Sequence, residues 1–378
     1  MIRRNRASTA PAGGDIGPYV YDDNGEAAGR PRRRGPSIKA VLLIILLLVL
    51  VIAAIGGILL WQRVSKFNDS VSTASAASSA LWGPLGGDGR VNIALFGYGG
   101  PEHKSGNYLA DSIQIMSIDP KTNTTTVIPI PRDFWIEGQN EIPDNGKINE
   151  AFAIGHARGG IDGGARLSAR LLTQVTGLHI DHWIAIDFSG FEEMIDAVGG
   201  VEIRNPRRFR YTWNEWKWSH GVWDAMFQKG YLQLDGAQAL DYARARYTNL
   251  AKESSDFARS VRQQRVLSAL RAKLGAGGLS SIGPGLTLMD ALDGKMRTDL
   301  SAFDLLLLSS HLNPDYRIEL KEGRVLEATT STDGQYILVV VGRADGSDYA
   351  PLKDYLRRHL AHLSRKAARP TPAPSSSP

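Results

Sequence analysis

A small set of side chains in this 378-residue sequence has types and spacings suited to holding an anion. Arg132 follows Ile130-Pro131 at the end of an apolar run, where α/β folds usually place ligand sites. Lys147 follows the turn residues Asn145-Gly146 and is expected to open a helix. Arg244 and Arg246 stand two apart in Tyr242-Ala-Arg-Ala-Arg-Tyr247, and point to one face if that stretch is extended. Asp256, Arg259 and Gln263 fall at i, i+3 and i+7 of one helical pattern, so they share a face. Four guanidiniums and an ammonium brought together repel one another unless an anion joins them. The planar fork of Arg matches phosphate in two-point contact. The competing reading pairs each of these cations with its own surface carboxylate.

The elements that would position them follow from periodicity and turn chemistry. Val91–Gly97 reads as a buried strand stopped by glycine. Asp111–Ile118 and Thr124–Ile130 read as a hairpin around Asp119-Pro-Lys-Thr-Asn123. Helices are expected over Lys147–Arg158 and Gly163–Thr176, and a strand over His179–Asp187. Ser189-Gly-Phe-Glu192 has the pattern of a capping box opening a helix that Gly199-Gly200 stops. A short strand at Val201–Ile203 precedes helices over Leu234–Ala243 and Ser255–Leu274. Strands interleaved with helices give an α/β layered fold, with no internal repeat. Tyr336–Val341 reads as a further strand and Ala350–Leu363 as a further helix.

Ala40–Trp61 is a run of 22 residues without a charge. As a helix it spans roughly 33 Å, one hydrocarbon core. The alternative, a cleaved signal peptide, usually has an apolar region of only about 7–15 residues. Arg30, Arg32, Arg33, Arg34 and Lys39 precede the run, and only Arg63 and Lys66 follow it closely. The positive-inside bias places the N-terminus in the cytoplasm and everything after Trp61 outside the cell membrane, as a single-pass protein. Residues 1–36 and 366–378 read as disordered tails, and 62–88 as a linker with partial helical character. The formal charge is +5, but residues 62–356 carry 31 basic against 35 acidic side chains. Bulk basicity therefore gives the folded body no claim on nucleic acid. The absence of cysteine excludes disulfides, thiolate metal sites and cysteine nucleophiles.

Several short motifs occur in a specific order: Ala110-Asp-Ser112, Ile128-Pro-Ile-Pro-Arg-Asp133, Gly146-Lys-Ile-Asn149 and Ile180–Phe188. Val198-Gly-Gly-Val201, Leu234–Leu240, Tyr242–Arg246, Asp256–Arg259 and Arg262-Gln-Gln264 follow. Together these resemble the LytR-CpsA-Psr family, the cell-envelope-related transcriptional attenuator domain, over about residues 89–275. The resemblance implies an α-β-α sandwich with a central mixed sheet, outside the membrane, which residues 276–365 complete or extend. It implies a polyprenyl-pyrophosphate lipid as ligand, and transfer of its glycopolymer to peptidoglycan as a phosphodiester. It assigns the pyrophosphate to Arg132, Lys147, Arg244, Arg246, Arg259 and Gln263. It makes Asp111 a magnesium ligand or proton acceptor and Arg132 part of the catalytic pair. Such a reaction needs charge neutralisation and positioning more than covalent catalysis.

The sequence also departs from the family pattern. A second Asp often precedes the first by twelve residues, and here that place is Gly99. One carboxylate makes a weak magnesium site that must borrow phosphate oxygens, unless Glu102 or His103 substitutes. Trp213, Trp216, Trp218 and Trp223 form a cluster that serves either as a stacking surface for sugars or the bilayer interface, or as a loop packed over the core. A pyrophosphatase and a non-enzymatic lipid-binding sensor or regulator are the alternative functions.

Overall fold

The computed structural model describes residues 38–73, 81, 88–101, 103, 108–136, 146–273, 282–309, 311, 315–342 and 348–368. The two tails, 1–36 and the part of 366–378 after Ala368, lie outside these residues. Residues 1–60 and 61–378 form two separate units.

Helix α1 (Ile38–Val71) is 34 residues long and contains the apolar run. Most side chains of that run lie outside the described part. Leu50, Ile55, Ile58, Leu59, Leu60 and Trp61 are described, and all are exposed. Among the described residues no helix is long and apolar enough to cross a membrane. The linker read at 62–88, with partial helical character, begins as helix, because residues 62–71 continue α1. Val64, Phe67 and Val71 are spaced as a helical stripe and pack with Leu292, Met296 and Ala302. The dense run of Ser, Ala and Gly that suggested a linker begins only at Ser70.

From Val91 the chain forms β1 (Val91–Tyr98), β2 (Ala110–Asp119), β3 (Thr124–Ile130), β4 (Trp135–Ile136), β5 (Gly146–Lys147), α2 (Glu150–Thr176), β6 (His182–Asp187) and α3 (Phe188–Ala197). A smaller part follows: β7 (Val201–Asn205), β8 (Phe209–Thr212), α4 (Glu215–Ser219), β9 (Ala225–Phe227), β10 (Gly230–Leu234), α5 (Gly236–Arg244), β11 (Tyr247–Thr248), α6 (Ala251–Ser254) and α7 (Asp256–Lys273). The last stretch gives α8 (Ile282–Leu292), β12 (Met296–Thr298), α9 (Ala302–Ser309), β13 (Tyr316–Arg317), β14 (Leu326–Thr330), β15 (Tyr336–Val340) and α10 (Ala350–Ala367).

The main sheet has six strands in the order β12-β6-β1-β2-β3-β13. It is mixed: β1 pairs antiparallel with β2 and parallel with β6, while β13 lies parallel to β3. Its edge strands β12 and β13 both come from the stretch after Gly275, so that stretch caps the sheet at each side. Alternation sorts the side chains onto two faces. Ala94, Phe96, Ile113, Ile115, Trp183 and Ala185 enter the core that contains Leu167, Leu171, Leu356 and Leu360 of α2 and α10. Val91, Ile93, Met116 and Ile118 enter the opposite core with Leu300 and Leu308. The sheet is therefore covered on both faces, as the layered reading expects. A third core joins α3, α5 and α7 to the small sheets through Ile195, Phe209, Tyr242 and Val266.

Three local readings change. The two helices expected around Gly159-Gly160 form one element, α2, with non-helical backbone at both glycines. Lys147 does not open it: Lys147 sits on β5, and Asn149 is the N-cap. Helix α3 is capped by Asp187, whose carboxylate accepts from the Gly190 amide at 2.7 Å, rather than by Ser189. Asp outranks a following Ser here because the last residue of β6 already has the extended backbone an N-cap needs.

Candidate active site

Asp111 owes its position to a break in strand register. Gly97 pairs with Ser112 and Tyr98 with Ala110, so Asp111 is the extra residue of a bulge on β2. A bulge re-aims one side chain without ending the strand. The Asp111 carboxylate lies between two guanidiniums: Oδ1 accepts from Arg132 Nη1 at 2.7 Å, and Oδ2 is 3.7 Å from Arg244 Nη2.

Arg132 sits just past β3, and its backbone is fixed from the Lys147 side. The Asn149 amide donates to the Arg132 carbonyl, and the Ala110 amide donates to the Asn149 carbonyl. One segment thus ties the start of β2 to the turn after β3. Lys147 itself bonds Asp133 Oδ1 at 2.9 Å, and Asp133 Oδ2 is 3.4 Å from Arg132 Nε. Lys147 lines none of the three cavities around the site. The structure places it behind the site, held by Asp133.

Arg244 ends α5, which begins with a capping box between Asp235 and Gln238. Its guanidinium lies 3.8 Å from the centre of the Phe188 ring and 5.3 Å from that of Trp213. Burial lowers its pKa, and Asp111 opposes that shift. Arg246 lies two residues on, exposed, 5.3 Å from the centre of the Tyr247 ring. The pair is therefore not on one extended strand: Arg244 is helical, and Ala245 turns the chain between them. Arg259 and Gln263 are one turn apart on α7, and Gln263 Oε1 accepts from Ser112 Oγ at 3.2 Å. The side chain of Asp256 lies outside the described residues.

Sequence reasoning missed the residue that holds this arrangement. Arg262 is fully buried and donates to the Tyr242 carbonyl at 2.8 Å, the Glu253 carbonyl at 2.7 Å and the Ala245 carbonyl. Its Nη1 also meets the Glu253 carboxylate at 3.0 Å. It clamps the segment that carries Arg244 and Arg246. The only signal was a charged residue on the inward face of a helix.

Three cavities meet here. One is lined by Arg132, Arg244, Arg246, Arg259, Asp111 and His103, with Asp241, Gln263, Trp213 and Tyr247. A second is almost wholly apolar; Phe67, Ile184, Phe191, Met289, Leu292 and Leu305 line it, and it reaches Asp111, Arg244 and Gln263. A third shares Asp111, Arg132, Arg259 and Gln263. Six of the seven expected site residues thus converge, with cations in excess of carboxylates. An excess of guanidiniums around one cavity has the donor geometry that suits an anion.

The donors for a metal are few. Asp111 and Asp241 are the carboxylates lining the arginine pocket, and Asp241 accepts from the Tyr211 hydroxyl at 2.6 Å. Among the described residues no group of three or more His, Asp or Glu could hold a metal alone. The donor set fits magnesium only when phosphate oxygens complete the shell. Glu102 lies outside the described residues. His103 Nε2 is 3.4 Å from Arg244 Nη2, where it accepts. Burial and then Arg244 hold the His103 pKa below 6.5.

The tryptophan cluster is not a loop buried on the core. Trp213, Trp216 and Trp218 are 41%, 63% and 42% exposed. Short helix α4 carries two of them, and Trp218 Nε1 donates to the Thr248 carbonyl at 3.2 Å. The ring of Trp213 reaches the arginine pocket.

An α/β protein with both sheet faces covered, an arginine-rich pocket and an apolar cavity meeting it is the class defined so far. The chain belongs to the LytR_cpsA_psr family, whose model matches residues 62–345. The polyisoprenyl-teichoic acid–peptidoglycan teichoic acid transferase TagU of Oceanobacillus iheyensis is 32% identical over 212 residues, 56% of this chain and 59% of that protein. The TagU of Enterococcus faecalis is 29% identical over 199 residues, 52% of this chain and 56% of its own length. The chain thus spans less than two thirds of these relatives' length. In fold it is similar to B. subtilis TagV, with a TM-score of 0.54 at 22% identity over 73% of this chain and 98% of that one.

Proposed function

We propose that this protein is a membrane-anchored phosphotransferase that moves a glycopolymer from a polyprenyl-pyrophosphate lipid onto peptidoglycan. The observation that carries the reading is the meeting of an apolar cavity with the arginine pocket at Asp111, Arg244 and Gln263. A lipid pyrophosphate has both an apolar chain and a charged head, and this junction offers a place for each. The names of the curated relatives agree with the reaction.

Arg132, Arg244, Arg246 and Arg259 neutralise the two phosphates, while Gln263 donates to them. Lys147 supports Arg132 through Asp133. Asp111 stands in as the counter-ion of Arg132 and Arg244 until the ligand arrives. Once phosphate takes over the arginines, its carboxylate is available to accept the proton of an acceptor hydroxyl. Magnesium, with Asp111 as protein ligand, would add charge neutralisation on the phosphate oxygens. The anchor is the Ala40–Trp61 segment, and the cationic flank before it keeps the N-terminus cytoplasmic. Phe67, on the same helix as the anchor, lines the apolar cavity.

The test is extraction of lipid from the purified full chain, followed by mass spectrometry. A polyprenyl phosphate or pyrophosphate is the expected co-purified species. A diacyl phospholipid alone, or no lipid, contradicts the reading.

A further inference from the structure

The third cavity has no part in the account of the donor. It shares Asp111, Arg132, Arg259 and Gln263 with the arginine pocket but is not lined by Arg244, which lines both the arginine pocket and the apolar cavity. In place of Arg244 it has Lys252, Arg317 and Glu319. Arg317 comes from β13, the edge strand that lies outside the motif region. Its Nη2 donates to Ser260 Oγ on α7 at 3.1 Å, and its Nε faces the Glu319 carboxylate at 3.3 Å. Its Nη1 is buried and makes no hydrogen bond. An incompletely satisfied, desolvated guanidinium is costly unless an anion offsets it. Lys252 on α6 is exposed and adds a second cation to the same cavity.

We propose that this cavity is the acceptor subsite, where Arg317 and Lys252 hold a carboxylate of the peptidoglycan acceptor. The proposal rests on the phosphotransferase reading and names the place of its second substrate. Displacement at phosphorus puts the entering and leaving oxygens roughly in line. The prenyl phosphate departs with its chain in the apolar cavity, where Arg244 stays beside it. The acceptor hydroxyl then enters from the cavity Arg244 does not line. A bond forms between the acceptor oxygen and the sugar-linked phosphorus, and the bond from that phosphorus to the bridging oxygen breaks. The electron pair of the broken bond goes to the prenyl phosphate. The hydroxyl proton passes to Asp111 and then to water. Glu319 offsets one of the two added cations, and a carboxylate of a peptidoglycan peptide stem pairs the other.

The experiment uses the full chain in detergent, a polyprenyl-pyrophosphate-linked saccharide as donor and a soluble peptidoglycan fragment as acceptor. Lys252→Ala and Arg317→Lys are each expected to raise the acceptor KM on the order of 10-fold, as loss of a charge-assisted contact does. The donor KM and donor hydrolysis without acceptor should stay within about twofold. Amidating the fragment's carboxylates should remove the difference between wild type and both variants. Unchanged acceptor KM in both variants, or a matching rise in donor KM, overturns the subsite. Lys252 is at the surface, so its variant remains informative if Arg317→Lys folds poorly. Failure of the wild type to bind donor would sink the phosphotransferase reading instead, a different outcome from failure of the subsite.

Discussion

Replacing Arg262 by Met separates the clamp from the ligand site it supports. The guanidinium is fully buried, and Glu253 beside it is 2% exposed. Removing the cation leaves the buried Glu253 carboxylate with only the half-exposed Arg207, 3.2 Å from Oε1, and strips one donor from each of three carbonyls, those of Tyr242, Ala245 and Glu253. Breaking one side of a buried pair costs about 3–5 kcal/mol. Arg63–Asp290, an exposed pair with side chains 51% and 58% accessible, should cost about 0–1 kcal/mol by the same substitution. At about 2 °C per kcal/mol for a body of this size, Arg262→Met lowers Tm by roughly 6–10 °C, and Arg63→Met by no more than about 2 °C. Adding Glu253→Gln to Arg262→Met should recover part of the loss, because the buried charge that Arg207 alone would offset is gone. Urea or thermal unfolding followed by circular dichroism reads all of these. A drop below about 1 kcal/mol for Arg262→Met would refute the clamp, as would no recovery in the double variant.

Arg244→Ala should weaken prenyl-pyrophosphate binding about 10- to 100-fold in a titration of lipid-free protein, since each charge-assisted contact is worth about 1.5–3 kcal/mol. Its Tm should move far less than that of Arg262→Met, because Arg244 lies at the mouth of the cavities. His103 gives a pH dependence with two opposite signs. Its pKa is depressed in the ligand-free protein, so its contribution to folding is present above 6.5 and is lost as pH falls through the folded value. Bound pyrophosphate raises that pKa, so ligand affinity should increase as pH falls below 6.5, and His103→Gln should show a shallower slope in the same calorimetric titration. An identical slope in the two proteins removes His103 from the anion site.

The strand runs, the hairpin turn at Asp119–Asn123 and the helices α3, α5, α7 and α10 were legible because each buries one face and so repeats its apolar residues at the expected period. The gap left between the helices read over Lys147–Arg158 and Gly163–Thr176 is a break within one helix, at Gly159 and Gly160. Six of the seven site residues were legible from type and spacing and Asp111 only through the ordered motifs; six of the seven converge. Lys147 was misplaced because a helix start and a two-residue strand look alike after Asn145-Gly146. The bulge at Asp111 is a property of pairing between β1 and β2, and no local pattern encodes it. The same holds for the cavities: Phe67 and Met289 share one wall although more than two hundred residues separate them. Arg317 and Lys252 escaped notice because single cations carry no periodicity.

The most direct test of the account is transfer of a radiolabelled saccharide from polyprenyl pyrophosphate to peptidoglycan by wild type and by Asp111→Asn. The account predicts a phosphodiester-linked product and one prenyl phosphate released per transfer with wild type. It also predicts that Asp111→Asn still carries the lipid but makes no product. Release of prenyl phosphate with no label on peptidoglycan, even at saturating acceptor, would make the protein a pyrophosphatase and contradict the account. Full transfer by Asp111→Asn would leave the phosphate site standing and remove its proposed base.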